Sequence, residues 1–315
     1  MTGPALRAVE DKPSIGIALM LTAYLLFSFI DLGTKWLALL GLPALQLAFM
    51  RYFGHFAISM TLVGRDGFAL GTFPKDSFVC DHLGLVIFRG VLLMLSTVCN
   101  FFAIRYLPLS LTGTILFSAP ILICFLSWPL LREPVGIFRW SAIALGFGGI
   151  VIAIRPFDDS FHWAVFLSLT SAFCFALYSI LTRKLAGIVA ADTLQLYSGM
   201  VGTIVLLPFA LFAWQNPVTG FQWLVMFALG VFGWAGHQFM TNAMRFAPAN
   251  LLMPFGYSFI LFLTIWSYLV FDEIPDRWTI TGALVIIVAG LIIWMREQRL
   301  YRVRMELASN AKPAG

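Results

Sequence analysis

The sequence predicts an all-α integral membrane protein whose ten transmembrane helices form two inverted five-helix repeats. Three observations carry that prediction. The 315-residue chain is 60% hydrophobic and only 11% charged, with a mean hydropathy of +0.91. A soluble domain has about 45–50% apolar and about 25% charged residues, so lipid must solvate most of this chain. Apolar runs of about 20 residues, enough to cross the hydrocarbon, recur between polar or proline-bearing breaks. The stretch AIRYLPLS (Ala103–Ser110) returns as AMRFAPAN (Ala243–Asn250). At the same offset Leu111, Ser118, Ser127 and Glu133 meet Leu251, Ser258, Ser267 and Glu273, which marks an internal repeat.

In chain order the first repeat, residues 14–155, holds Ser14–Trp36, Pro43–Val63, Leu83–Ile104, Leu109–Leu131 and Ile137–Ile154 as spans 1 to 5. The second repeat, residues 161–296, holds Phe161–Leu181, Thr193–Trp214, Phe221–Arg245, Ala249–Phe271 and Trp278–Met295 as spans 6 to 10. Residues 297–315 form a basic tail. Span 1 reads as a retained helix and not a cleaved signal, because Glu10 and Asp11 dilute the basic start and no A-x-A site follows. Pro120 and Pro254 fall within spans 4 and 9, where each removes a backbone donor, so both helices are expected to bend.

Lysine and arginine set the orientation. With a cytoplasmic N-terminus, the inside segments hold Arg65, Lys75, Arg132, Arg183, Lys184 and the tail arginines, whereas Lys35, Arg105, Arg155 and Arg277 fall outside. Positive charge favours the cytoplasmic side, so both termini are expected there. Five spans per repeat is an odd number, which turns the second copy upside down. Two inverted halves that rock about a central site are a common architecture of secondary transporters.

Composition excludes several function classes. The basic residues flank apolar spans and form no aromatic-interleaved face, so nucleic acid is not an expected partner. The four cysteines show no CxxC spacing, and no metal site or cofactor is expected. A GxxxxGK[ST] phosphate loop, a GxSxG elbow and an HExxH pair are all missing from the sequence. GFGG at Gly146–Gly149 lies inside an apolar helix, where small residues serve close packing.

Polar residues within the spans are the candidate site, since they are costly in lipid. Arg51 and, one turn on, His55 place a cation and an imidazole on one face of span 2, suited to clamp a carboxylate or phosphate of a cargo. His237, Gln238, Thr241 and Asn242 form a polar stripe on span 8, and Tyr24, Tyr178 and Tyr257 could stack a cargo. Asp31 is the candidate coupling group, with a rival reading in which it pairs with Lys35 one turn later. Arg89 either pairs with Asp81 or snorkels to the cytoplasmic surface. Glu133 and Glu273 close spans 4 and 9 and read as structural or gating groups facing a nearby arginine.

Arg89–Pro156 resembles the EamA domain of the drug/metabolite transporter superfamily. The carried pattern is an arginine opening span 3, the A-x-R-Y-L-P link, a proline in span 4, an acidic residue closing span 4 and a glycine-rich span 5. A second, weaker copy covers Trp163–Trp294, departing where Ile260 stands for the span 4 proline, so the two halves are expected to bend differently. The resemblance implies a non-enzymatic secondary transporter moving a small organic metabolite by alternating access, with export the preferred direction. Uptake of a vitamin or nucleoside-type metabolite of the riboflavin or S-adenosylmethionine class is the alternative. An intramembrane enzyme or sensor is the different-class rival. The expected setting is the lipid bilayer of a prokaryotic inner membrane, with homodimerisation through spans 5 and 10 conceivable.

Overall fold

Helix follows helix through residues 12–69, 82–131, 137–158, 161–185, 188–247 and 252–310, the residues described in a computed structural model of the chain. The helices are α1 (Pro13–Leu39), α2 (Ala44–Ala69), α3 (Leu83–Ala103), α4 (Leu109–Leu116), α5 (Ala119–Leu131) and α6 (Ile137–Ile154). They continue as α7 (Val165–Leu185), α8 (Ala191–Phe212), α9 (Gly220–Phe246), a 3-10 turn (Met253–Tyr257), α10 (Ser258–Phe271) and α11 (Arg277–Asn310). Among the described residues no strand occurs.

Local chemistry explains several ends. Pro13 opens α1, where its missing N–H costs nothing. Thr219 and Gln222 make a reciprocal capping box at the start of α9. Span 4 is two helices: Phe117 and Ser118 leave the helical path and Ser118 donates to the Ile115 carbonyl at 2.6 Å, immediately before Pro120. In span 9, Leu252 is helical, the 3-10 turn follows with Pro254 in it, and α10 runs unbroken past Ile260. The two bends therefore differ, as the shifted proline predicts. The basic tail does not begin a new element, because α11 runs on to Asn310.

Six of the described helices, α1, α3, α7, α8, α9 and α11, contain stretches long and apolar enough to cross a membrane, and shorter apolar stretches lie at Leu109–Ile123, Trp140–Ile154 and Phe255–Phe271. The helix α2 matches them in length but carries Arg51 and His55 inside. Large apolar side chains such as Ile204, Phe209 and Leu211 on α8 point outward. Asp31, His55, Arg89, Asn100 and His237 are buried. Charged and polar groups set within an otherwise apolar interior, beneath an apolar exterior, suit lipid as the surrounding solvent, and the chain is a multi-pass membrane protein.

Across the chain α1 lies on α9, α3 on α7, α2 on α8 and α9, α4 on α10, and α6 on α11. Glycine allows the closest of these contacts. A Cβ on Gly230 of α9 would stand 2.6 Å from the Gly54 Cα of α2, and one on Gly282 of α11 would stand 2.6 Å from the Gly149 carbonyl oxygen of α6. The GFGG segment thus packs α6 inside its own chain. Two apolar grooves open on the outside. One of about 480 Å³ lies between α1, α9 and α10, and one of about 310 Å³ between α5, α6 and α7. Neither contains the charged residues described next.

Candidate functional site

The interior polar residues converge from α1, α2, α3, α7, α8 and α9. On α2, the Arg51 Nη1 donates to the Thr97 hydroxyl of α3, and the Tyr52 and Thr97 hydroxyls are 2.8 Å apart. Thr97 passes its own proton to the Leu93 carbonyl at 3.0 Å. One turn along α3, the Asn100 amide donates to the Asp31 carboxylate of α1 at 3.1 Å, and the field of Arg51 reaches that carboxylate.

Arg89 is 2% exposed, so it does not snorkel. Its guanidinium donates to the Thr182 hydroxyl at 2.7 Å, the Tyr178 hydroxyl at 2.7 Å, the Ser198 hydroxyl at 2.8 Å and the Leu194 carbonyl at 3.1 Å. Its Cζ also lies 4.4 Å from the Tyr178 ring centroid. Two helix ends, of α7 and α8, supply these oxygens, which together offer the full fork what a solvated surface would have offered. Asp81, the alternative partner, lies outside the described residues.

Asp31 does not pair with Lys35. The long Lys35 side chain leaves its helix and meets both Glu273 carboxylate oxygens at 2.6 Å and the Leu107 carbonyl at 3.1 Å. Glu273 is presented there by the left-handed turn at Asp272 (φ 54°), which folds the Glu273 N–H back to the Ser267 carbonyl at 3.0 Å. The partner of Glu273 is thus a lysine, where an arginine was expected. Glu133 lies outside the described residues.

The stripe on α9 is divided. His237 is buried, with its ring 5.0 Å from Phe27 and 5.8 Å from His55. Gln238, Thr241 and Asn242 are half-buried, and Thr241 spends its proton on the His237 carbonyl at 2.9 Å. The tyrosines separate too. Tyr178 serves Arg89, whereas Tyr24 and Tyr257 both pack on Phe117, with ring centroids 6.1 and 5.5 Å away, beside the break between α4 and α5. The structure therefore gathers Asp31, Arg51, His55, Arg89, Tyr178 and His237 about one interior region.

Sequence reasoning missed Tyr52, Thr97, Asn100 and Ser198. The spacing of Thr97 and Asn100 on one face of α3 was a readable signal of the same kind as the α9 stripe. Beyond the spans, Arg155 bonds Asp158 at 3.1 Å and Asp276 at 2.6 Å, tying the segment after α6 to the start of α11. Burial pushes the Asp276 carboxyl up, but the Thr279 N–H and Arg155 outweigh it and hold the group below the usual carboxylate range.

Comparison with known proteins fits this picture. The S-adenosylmethionine uptake transporter of Rickettsia felis is 26% identical over 284 residues, 90% of this chain and 94% of the relative. The riboflavin transporter of Vibrio cholerae is 26% identical over 303 residues, 96% of this chain and 100% of the relative. The pseudopaline exporter CntI of Pseudomonas aeruginosa is 27% identical over 288 residues, 90% of this chain and 98% of the relative. A crystal structure at 18% identity shares the fold with a TM-score of 0.62, covering 91% of this chain and 99% of its own. The EamA-like transporter family matches residues 14–155 and 162–295. These two stretches account for nearly all the described helices, and the chain belongs to the EamA-like transporter family of the drug/metabolite superfamily.

Proposed function

We propose that the protein is a secondary carrier that moves a small organic metabolite across a prokaryotic inner membrane by alternating access, with both termini cytoplasmic. In this reading residues 14–155 and 161–296 are two inverted halves, ten spans in all, and residues 297–315 form the cytoplasmic tail. The cargo binds where Arg51, His55 and His237 meet, and the aromatic cluster of Tyr24 and Tyr257 flanks its path.

One observation carries the reading. The largest helix pairings are kept when the halves are exchanged, while smaller ones such as α2·α3 and α4·α11 have no counterpart of like size among the described residues. Let α1, α2, α3, α4–α5 and α6 swap with α7, α8, α9, the 3-10 turn–α10 and α11. The contact α1·α9 becomes α7·α3, α2·α9 becomes α8·α3, and α1·α10 becomes α7·α5, all of which occur. The contacts α2·α8, α4·α10 and α6·α11 map onto themselves. Halves that pair alike yet differ in these smaller contacts can trade conformations, and that trade is the second arrangement alternating access needs.

Direction follows the gradient of the cargo or of a coupled ion. Export is the first reading. Uptake is the second, favoured by the relatives named for S-adenosylmethionine uptake. The test is counterflow in proteoliposomes with labelled S-adenosylmethionine and labelled riboflavin, joined to thiol labelling of single cysteines placed on α2 and α9 from each side of the membrane. Exchange of a label, with interior cysteines reached from either side in turn, is the expected result. Continuous access from both sides at once would indicate a channel, and chemical conversion of the label would indicate an enzyme.

A further inference from the structure

We propose that Arg51, His55 and His237 form an oxyanion subsite, so that the cargo carries a carboxylate or phosphate docking among these three side chains. This inference rests on the carrier reading above. The two helices stand in register: Arg51 and His55 are one turn apart on α2, and Gly233 and His237 are one turn apart on α9. A Cβ on Gly233 would lie 3.6 Å from the Arg51 Cγ and 3.7 Å from its Nε, so the guanidinium stem lies over a residue with no side chain. His55 and His237 form the next rung, with rings 5.8 Å apart and edge-on.

Three buried nitrogens on these rungs lack a partner: the Arg51 Nε, the His55 Nε2 and the His237 Nδ1. Both histidines are 6% exposed. Buried polar atoms are nearly always hydrogen-bonded, and three orphans on facing helices mark a place where a partner arrives from outside the chain. With no bond fixing the tautomer, each imidazole is free to present an N–H there.

The charge balance gives that partner its sign. The fields of Arg51 and Arg89 both reach His55 and His237. Neither guanidinium is ion-paired with a described carboxylate, and Asp31, the buried carboxylate of the region, accepts from Asn100. Lys35 and Glu273 cancel each other. Among the described residues, this interior region thus holds two guanidinium charges against one carboxylate. An uncompensated cation is costly in low dielectric, and a bound oxyanion removes the imbalance while meeting the guanidinium with charge-assisted hydrogen bonds.

The test loads proteoliposomes of the full-length protein from a small-metabolite mixture containing two matched pairs, S-adenosylmethionine with its decarboxylated analogue and flavin mononucleotide with riboflavin. Mass spectrometry then reads what is retained relative to empty vesicles. The expected result is that retained species carry a carboxylate or phosphate, and that the two pairs tell which. Arg51→Gln should lower that retention at least tenfold, Arg51→Lys less, and His55→Gln should reduce it while melting stays near wild type. Should Arg51→Gln fail to fold, Gly233→Ala serves instead, since its Cβ meets only ordinary contacts yet fills the space beside the guanidinium. Retention of neutral or purely cationic species, or retention indifferent to Arg51→Gln and Gly233→Ala, overturns the subsite and leaves the carrier standing. Retention of nothing overturns the carrier reading itself.

Discussion

Lys35 of α1 is joined to Glu273 beyond the end of α10, each carboxylate oxygen 2.6 Å from the ammonium, and its own helix neighbour Asp31 is left to Asn100. The lysine is 3% exposed and the glutamate 33% in their side chains, so the pair sits at the border of the buried interior. Ser267 and the Leu107 carbonyl complete it, at 2.9 and 3.1 Å. The contact therefore fastens α1, the link after α3, and the end of α10 to one another.

Breaking this pair on one side strands a buried ammonium. Glu273→Gln is expected to destabilise by about 3 kcal/mol, toward the lower end for a buried pair because the glutamate is partly wet. Lys35→Met with Glu273→Met should recover most of that loss, since neither charge then remains to be desolvated. Thermal unfolding in detergent measures both. Equal melting of the single and double variants would show that the pair contributes by packing alone.

Arg89 makes a sharper demand on side-chain geometry. A lysine has the charge but not the planar fork, and it cannot satisfy the four oxygens from α7 and α8 together. Arg89→Lys should cost about 1.5–3 kcal/mol for the hydrogen bonds a single ammonium cannot make and depress the yield of folded protein. Tyr178→Phe, which removes one neutral acceptor, should cost about 1.5 kcal/mol. Folded yield and melting of Arg89→Lys equal to wild type would contradict the cage.

The close approach of α2 and α9 permits a comparison between glycines. Gly230→Ala would drive a methyl to 2.6 Å from the Gly54 Cα, a backbone atom that cannot swing away, and is expected to cost about 1–3 kcal/mol. Gly148→Ala, on α6, meets nothing within 4 Å and should be neutral or mildly stabilising, by up to about 1 kcal/mol from helix propensity. Melting temperatures of the two variants in one detergent decide it. A Gly148→Ala loss as large as that of Gly230→Ala would remove the steric argument.

Asp31 is the described buried carboxylate on the cargo side of the interior, and we propose it as the coupling group. Asp31→Asn can still accept from Asn100, so the fold should persist. Counterflow should survive while accumulation driven by a proton gradient disappears. The comparison uses the same vesicles with and without an imposed pH difference. Proton-driven accumulation at the wild-type level in Asp31→Asn would assign coupling elsewhere.

Much of this molecule was legible before its structure. Apolar runs and prolines located most helices, though the last one runs fifteen residues past Met295 to Asn310 and span 4 is two helices, and Arg51, His55 and His237 stood out because polar groups inside apolar spans have few innocent explanations. What stayed illegible concerned partners. Arg89 looked like a residue free to reach the surface, because the hydroxyls that hold it lie on α7 and α8, about a hundred residues away in sequence. Thr97 and Asn100 share a face of α3, but what gives them a role is a donor on α2 and an acceptor on α1, which local spacing does not reveal.

The sequence by itself determined that lipid surrounds this chain, that its elements are helices, and where they bend, because each of those follows from the free energy of single residues or short runs in hydrocarbon. Only the tertiary structure decided which charge meets which. Asp31 and Lys35 are one turn apart, and local spacing favours their pairing. The packing of α1 against α3 and the left-handed turn after α10 instead offered each a separate partner. Pairing in a low-dielectric interior is set by which opposite or hydrogen-bonding group is within 3 or so ångströms, and only the packed fold fixes that distance.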